Sequence, residues 1–184
     1  MNYKYNDKTQ LAEHFNVQEF RCKCGGTHDI LVNPELPAKL EKLHKALKCS
    51  KIIINSGHRC AAHDRAVGGS GSGQHVSGNA ADIVCFDKDG NRIDSRKVSC
   101  AAQDIGFKGI ANIDKTYTAT HVDVRPSRSW LGDEVVTTAY SVTDDFYKYY
   151  KLSKADVYGS APADTIDISI TLDGKTFSGT LTSE

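Results

Sequence analysis

Two short stretches of the chain concentrate side chains able to do chemistry. The first, SGHRCAAHDRAVGGSGSGQHVSGNAADI over 56–83, holds His75 and Asp82 seven residues apart in the frame His-Val-Ser-Gly-Asn-Ala-Ala-Asp. A glycine-rich loop delivers the chain to His75, and the small residues Gly78, Ala80 and Ala81 allow a close approach just before Asp82. The second stretch is THVDVR over 120–125. On a strand, alternation sends His121, Asp123 and Arg125 to one face and Val122 and Val124 to the other, which is the pattern of a site lining. His75, Asp82 and His121 together supply two imidazoles and one carboxylate. That set suits a catalytic zinc, which keeps three protein ligands and leaves the fourth position to water. Such an ion makes hydroxide available near neutral pH and polarises a carbonyl. By spacing alone, a His and an Asp this far apart are more often two unrelated surface groups.

The cysteines carry less. Six occur, at 22, 24, 49, 60, 85 and 100, enough for three disulfides. The chain is long enough to bury its own core and opens with no export leader, so reduced thiols are expected. Cys22 and Cys24 in RCKCGG have one residue between them, a poor fit to the CxxC half of a zinc site, and a second well-spaced pair is missing. A turn set by Gly25-Gly26 is the plainer reading.

Regular elements must position these groups. Leu36, Leu40, Leu43 and Leu47 recur at helical spacing behind Asn33-Pro34, predicting an amphipathic helix over 34–48. KIIIN (51–55) reads as a short strand, 60–67 as a short helix ending at Gly68-Gly69, and GGSGSG (68–73) as a loop. Ala80–Phe86 is a predicted strand and DKDGN (87–91) a tight turn. Asp94 caps a helix running to Ile105 and stopped by Gly106, with Val98, Ala102 and Ile105 on one face. Strands follow near 109–113 and 119–125. Beyond them, 132–160 is polar and Tyr-rich, and Ile166, Ile168, Ile170 and Leu172 then alternate up to Asp173-Gly174. A DG dipeptide between alternating runs predicts a β-hairpin over 164–182, which must dock on something to be stable.

The bulk numbers are ordinary. In 184 residues, 23 Lys+Arg balance 23 Asp+Glu, 39% are hydrophobic, 25% charged and 8% aromatic. These values exclude collagen-like, mucin-like and disordered classes. Zero formal charge argues against a nucleic-acid binder that works by neutralising phosphates. No run approaches the ~18 apolar residues of a membrane span, and MNYKYNDKTQLAEHF lacks the apolar core of a signal peptide. A protein made in the cytoplasm without membrane insertion is expected. Three parts are expected: a catalytic domain over 1–130, a connecting segment over 131–163, and the hairpin over 164–184.

The frame HVSGNAAD resembles the His-x-x-Gly-x-Ala-x-Asp motif of the zinc D-alanyl-D-alanine carboxypeptidase family. SGHR resembles that family's Ser-Gly-aromatic-Arg segment, THVDVR its closing His-x-Asp segment, and HFNVQEFRCKCGG its usual opening. The resemblance runs from about Phe15 to Pro126, roughly two-thirds of the chain. It implies an α+β fold of the hedgehog-type zinc peptidases: a small antiparallel sheet flanked by helices around a zinc site, here with the C-terminal hairpin appended. It also implies one catalytic Zn2+ held by His75, Asp82 and His121, and a peptidoglycan stem peptide as the partner. Arg59 matches the family arginine on the scissile carbonyl, a fixed cation aimed at growing negative charge. Gln74 is a candidate pocket residue, and Arg125 or Arg128 a candidate group for a terminal carboxylate. His58 and His63 read as neighbours or surface residues.

Two departures stand out. Many members have Ser two positions before the first ligand, where this chain has Gly73. Many carry an acid three positions before the last ligand as general base, where this chain has Thr118. The base must deprotonate the attacking water and later protonate the leaving amine. Asp123 is the best substitute on the strand face, although it reads equally as a group orienting a ligand imidazole; Asp114 in NIDKTY looks like a turn residue. The expected function is a zinc peptidase cutting an amide bond in stem peptides, carboxypeptidase-like and resembling a phage lysin. Two alternatives stay open. One is an endopeptidase cutting inside the stem or cross-bridge; the other is an inactive zinc-stabilised binding or virion module whose hairpin engages a partner.

Overall fold

The leucine stripe predicted over 34–48 does form a helix, and it lies against a sheet that carries the chemistry on its far face. In the computed structural model the chain begins with β1 (Asn2–Tyr3), β2 (Gln10–Ala12), β3 (Phe15–Asn16), a 3-10 turn (Val17–Phe20) and β4 (Ile30–Leu31). Then come α1 (Glu35–Ala46), β5 (Lys51–Ser56), α2 (Ala61–Ala66), β6 (Ala80–Phe86), α3 (Ser95–Ile105), β7 (Gly109–Asn112) and β8 (Thr120–Asp123). The last elements are β9 (Trp130–Asp133), α4 (Phe146–Tyr150), α5 (Lys154–Tyr158), β10 (Thr165–Leu172) and β11 (Lys175–Thr182). The structure describes residues 1–137 and 140–159, and the backbone of β10 and β11.

Local chemistry sets the boundaries. The Asn33 carboxamide oxygen accepts the Glu35 N–H at 3.1 Å, so Asn33-Pro34 opens α1 as its residue types suggest. Leu36, Leu40 and Leu43 are fully buried on its inner face, each contributing about 1.5–3 kcal/mol by leaving water. Asp94 accepts the Arg96 N–H at 2.9 Å and caps α3, which ends at Gly106.

The fold is α+β. The central sheet has the order β5-β6-β8-β7-β9. Its pairs are antiparallel except β7 with β9, which is parallel. The expectation of a wholly antiparallel sheet is corrected at this edge: β7 and β8 run in opposite directions, and the chain returns past β8 to add β9 beside β7. Alternation then divides the sheet. Ile52, Ile54, Ala81, Ile83, Cys85, Ile110, Val122 and Leu131 are buried together, beneath α1 and α3. On the opposite face one register row reads Ser56, Asp82, His121, Ala111 and Gly132 across five strands.

Residues 130–159 contribute a strand and two helices that their polar composition does not announce. Phe146 is fully buried and Val157 nearly so, with α4 and α5 packed on α3. The tyrosines reconcile composition with packing. Tyr147 and Tyr158 lean on the cluster while their hydroxyls donate to Asp104 at 2.5 and 2.7 Å. Farther on, β10 and β11 pair antiparallel, with Ile166 opposite Leu181 and Ile170 opposite Phe177; the Asp173-Gly174 turn expected between them lies outside the described residues. Among the described residues, no helix is long and apolar enough to cross a membrane.

Candidate metal centre and active-site cleft

Strand register brings Asp82 and His121 together, because they are direct partners across β6 and β8. His75 arrives from the loop that precedes β6. The His121 Nδ1 lies 2.9 Å from Asp82 Oδ1, and the His75 Nε2 lies 3.2 Å from that oxygen and 3.3 Å from His121 Nδ1. Ligand atoms about 2.0–2.2 Å from one ion stand roughly 3.3 Å from one another, so this donor set fits a zinc ion. The far ring nitrogens are held as such a site requires. His75 Nδ1 meets the Gly57 carbonyl at 2.8 Å, and His121 Nε2 meets Asp123 Oδ2 at 3.2 Å, each fixing which nitrogen faces the centre. His75 and Asp82 are buried and His121 nearly so.

Charge is concentrated here. Burial disfavours the Asp82 carboxylate, but hydrogen bonds from His121 and His75 outweigh it and hold its pKa far below the usual carboxylate range. Burial likewise opposes the His121 cation, yet bonds to Asp123 and Asp82 raise it to about 9. In the metal-free chain the His121 imidazolium therefore bridges two carboxylates, Nδ1–H toward Asp82 and Nε2–H toward Asp123. A zinc ion bound there would displace the Nδ1 proton.

Arg59 extends the network. Its Nη2 contacts Asp82 Oδ2 at 2.6 Å, its Nε donates to Ser56 Oγ at 2.8 Å, and its Nη1 lies 3.4 Å from Asp64. Asp64 is buried on α2 and also accepts the Gly71 N–H at 2.9 Å, which ties the glycine-rich loop to Arg59. Sequence reasoning missed this residue; its signal, an acid four positions before the glycine run, is faint. Gln74 lines the cleft and accepts the Asn79 amide at 3.0 Å.

Asp123 is placed differently from a base. It is fully buried, its oxygens are engaged by His121 and by Arg125 Nε at 2.9 and 3.0 Å, and it is not part of the cleft wall. Burial raises its pKa, but Arg125 and His121 together hold it well below the usual range. Of the two roles weighed for Asp123, these contacts match the one that orients a ligand imidazole. Gly109 makes this possible: a Cβ there would collide with the Asp123 carboxylate. Arg125 does line the cleft, packed over Trp130 at 5.4 Å while paired with Asp123. Asp114 closes its own turn by accepting the Thr116, Thr118 and Ala119 N–H groups and is not a wall residue, although its neighbour Ile113 is. His58 is buried and His63 sits on α2, neither of them a wall residue.

The cleft, about 680 Å³, is walled by Arg59, His75, Asp82, His121, Trp130 and Glu134, among others. Glu134 was not foreseen from sequence. It directly follows β9, with its N–H on the Asn112 carbonyl at 2.9 Å. Partial burial raises its pKa; His121 and Arg59 offset this while Asp82 adds to it, which locates the carboxyl in the field of the centre.

A family model described as Peptidase M15 matches residues 13–123. The chain belongs to the Peptidase M15 family. That family is zinc D-Ala-D-Ala carboxypeptidase-like, and membership supports a metallopeptidase. Comparison with curated proteins gave no match. Within this M15 peptidase the matched region contains Arg59, His75, Asp82, His121 and Asp123 and stops there. Arg125, Trp130 and Glu134 complete the cleft from outside it.

Proposed function

We propose that this M15 peptidase holds one catalytic zinc on His75, Asp82 and His121 and hydrolyses an amide bond in peptidoglycan stem peptides. The observation that carries the reading is the convergence of His75 Nε2, Asp82 Oδ1 and His121 Nδ1 at 2.9–3.3 Å, with both remaining ring nitrogens anchored. A zinc ion there supplies Lewis acidity, which makes water nucleophilic near neutral pH and polarises the scissile carbonyl.

The chain's own residues supply the rest. Glu134 takes the proton of the attacking water and returns it to the leaving amine nitrogen; its raised pKa suits both transfers. The Arg59 guanidinium, fixed by Ser56, Asp64 and Asp82, stands where negative charge grows on the carbonyl oxygen. Asp123 holds His121 in its ligating orientation. Trp130 and Gln74 bound the peptide, and Arg125 faces a terminal carboxylate. The cut is accordingly carboxypeptidase-like, releasing the terminal D-alanine, and the lytic role of an endolysin is the cellular form proposed for it. The endopeptidase reading is favoured by one observation: Asp123 neutralises Arg125, which weakens its hold on a carboxylate.

The test is mass spectrometry of fragments from purified peptidoglycan and from stem peptides ending in D-Ala-D-Ala. Zinc-loaded protein is expected to release D-alanine, chelator to stop it, and added zinc to restore it. Fragments cut within the stem or cross-bridge would establish the endopeptidase instead. No fragment from zinc-loaded protein would overturn the enzymatic reading.

A further inference from the structure

Away from the cleft, the fold brings a third cysteine to the Cys22-x-Cys24 pair. The Sγ atoms of Cys22, Cys24 and Cys60 all lie within 4.8 Å of one another. Cys60 comes from the far end of the segment that begins at Gly57, where β5 gives way to α2. That segment is fastened to the earlier one by its backbone, since the His58 N–H donates to the Phe20 carbonyl at 2.8 Å. All six cysteines are free.

We propose that Cys22, Cys24 and Cys60 bind a second, structural zinc ion, with His28 as fourth ligand. Thiolate sulfurs about 2.3 Å from zinc stand roughly 3.7 Å apart, within the spread of this cluster. Each sulfur already receives a backbone N–H. Cys60 donates to Cys22 Sγ at 3.3 Å, Gly26 to Cys24 Sγ at 3.4 Å, and His63 to Cys60 Sγ at 3.4 Å. Such donors orient a sulfur and favour its anionic form, the form that ligates a metal. The His28 ring lies across Gly26, two residues beyond Cys24, where any larger side chain would strike its Nε2. Three thiolates and one imidazole make a closed structural set with no position left for substrate.

The position of this centre gives it a purpose. It joins residue 22 to residue 60, and the chain just before Cys60 carries Gly57, whose carbonyl anchors His75, and Arg59, which holds Asp82. The second ion would thus brace the segment that aligns the first. Binding releases the thiol protons and ties folding of the N-terminal third to metal.

Cobalt reconstitution tests this independently of the catalytic centre. Purified reduced protein loaded with Co(II) is expected to show sulfur-to-cobalt charge-transfer absorption, which a site of nitrogen and oxygen donors cannot give. The absorption should persist in His75→Ala, even if that variant has lost all hydrolysis. It should fall in Cys24→Ser, whose thiol is solvent-exposed, and the same variant should carry one zinc equivalent fewer than wild type by elemental analysis. His28→Ala should shift the visible cobalt bands while keeping the sulfur absorption. Absence of the charge-transfer absorption in fully reduced, folded wild type would overturn the proposal. So would equal zinc content in wild type and Cys24→Ser, or a Cys22–Cys60 disulfide in protein purified without oxidant.

Discussion

In the proposed mechanism Glu134 and Asp123 divide the work that one acid performs at many hydrolytic zinc centres. Asp123 is buried beside His121 and paired with Arg125, contacts that suit an orienting role. Glu134 stands in the cleft wall with a raised pKa. Glu134→Gln should therefore lower kcat about 10²–10⁴-fold, the usual contribution of a positioned proton carrier, while zinc content stays at the wild-type level. Asp123→Asn should instead weaken zinc binding. A Glu134→Gln enzyme turning over at the wild-type rate would remove Glu134 from the mechanism. The carboxylate was invisible in the sequence because nothing near residue 134 shares a motif with the ligands. Only the turn that follows β9 makes the connection.

At the scale of elements, the site depends on how closely β7 and β8 approach. Gly109 is the direct partner of Asp123, and the carboxylate occupies the space a side chain at 109 would need. Gly109→Ala should displace Asp123 from His121 and lower zinc affinity about 10–100-fold, as loss of an orienting partner usually does. Competition with a chromophoric chelator measures this, and unchanged affinity would show that His121 needs no such support. Element boundaries themselves were largely legible. The leucine spacing of α1, the run Ala80–Phe86, and the cap and stop of α3 at Asp94 and Gly106 all follow from local rules. β9, α4 and α5 were not legible. Their buried content is a few residues such as Leu131, Phe146 and Val157, while tyrosines whose hydroxyls reach Asp104 and Asp133 make the segment look solvated.

For the whole molecule, the metal-free centre links folding to pH. The folded-state pKa of His121 is raised to about 9 from an ordinary 6.5. Its contribution to stability is therefore complete below about pH 6.5 and lost as pH rises through about 9, an effect on the order of 3 kcal/mol. The opposite limb belongs to Asp82 and Asp123, whose depressed pKa values withdraw stability only in strong acid. In chemical denaturation of metal-free protein, the stability gap between wild type and His121→Gln should narrow between pH 6.5 and 9. A gap constant across that window would contradict the bridging imidazolium. Zinc requires the neutral ring, so its stabilising increment should grow over the same window.

The sequence by itself determined the elements whose signals are local, and it named His75, Asp82, His121 and Arg59 through short motifs. These residues sit near one another along the chain, or on strands whose alternation can be read directly. What the tertiary structure decided are the meetings between distant segments. Asp82 faces His121 across a register that no motif states, Glu134 lines their cleft from the turn just after the returning parallel strand, and Cys60 closes on Cys22 and Cys24. Periodicity reports which side of an element is buried, because burial repeats with the backbone. It carries no information about which other element comes to lie opposite, since that follows from the packing of the entire core.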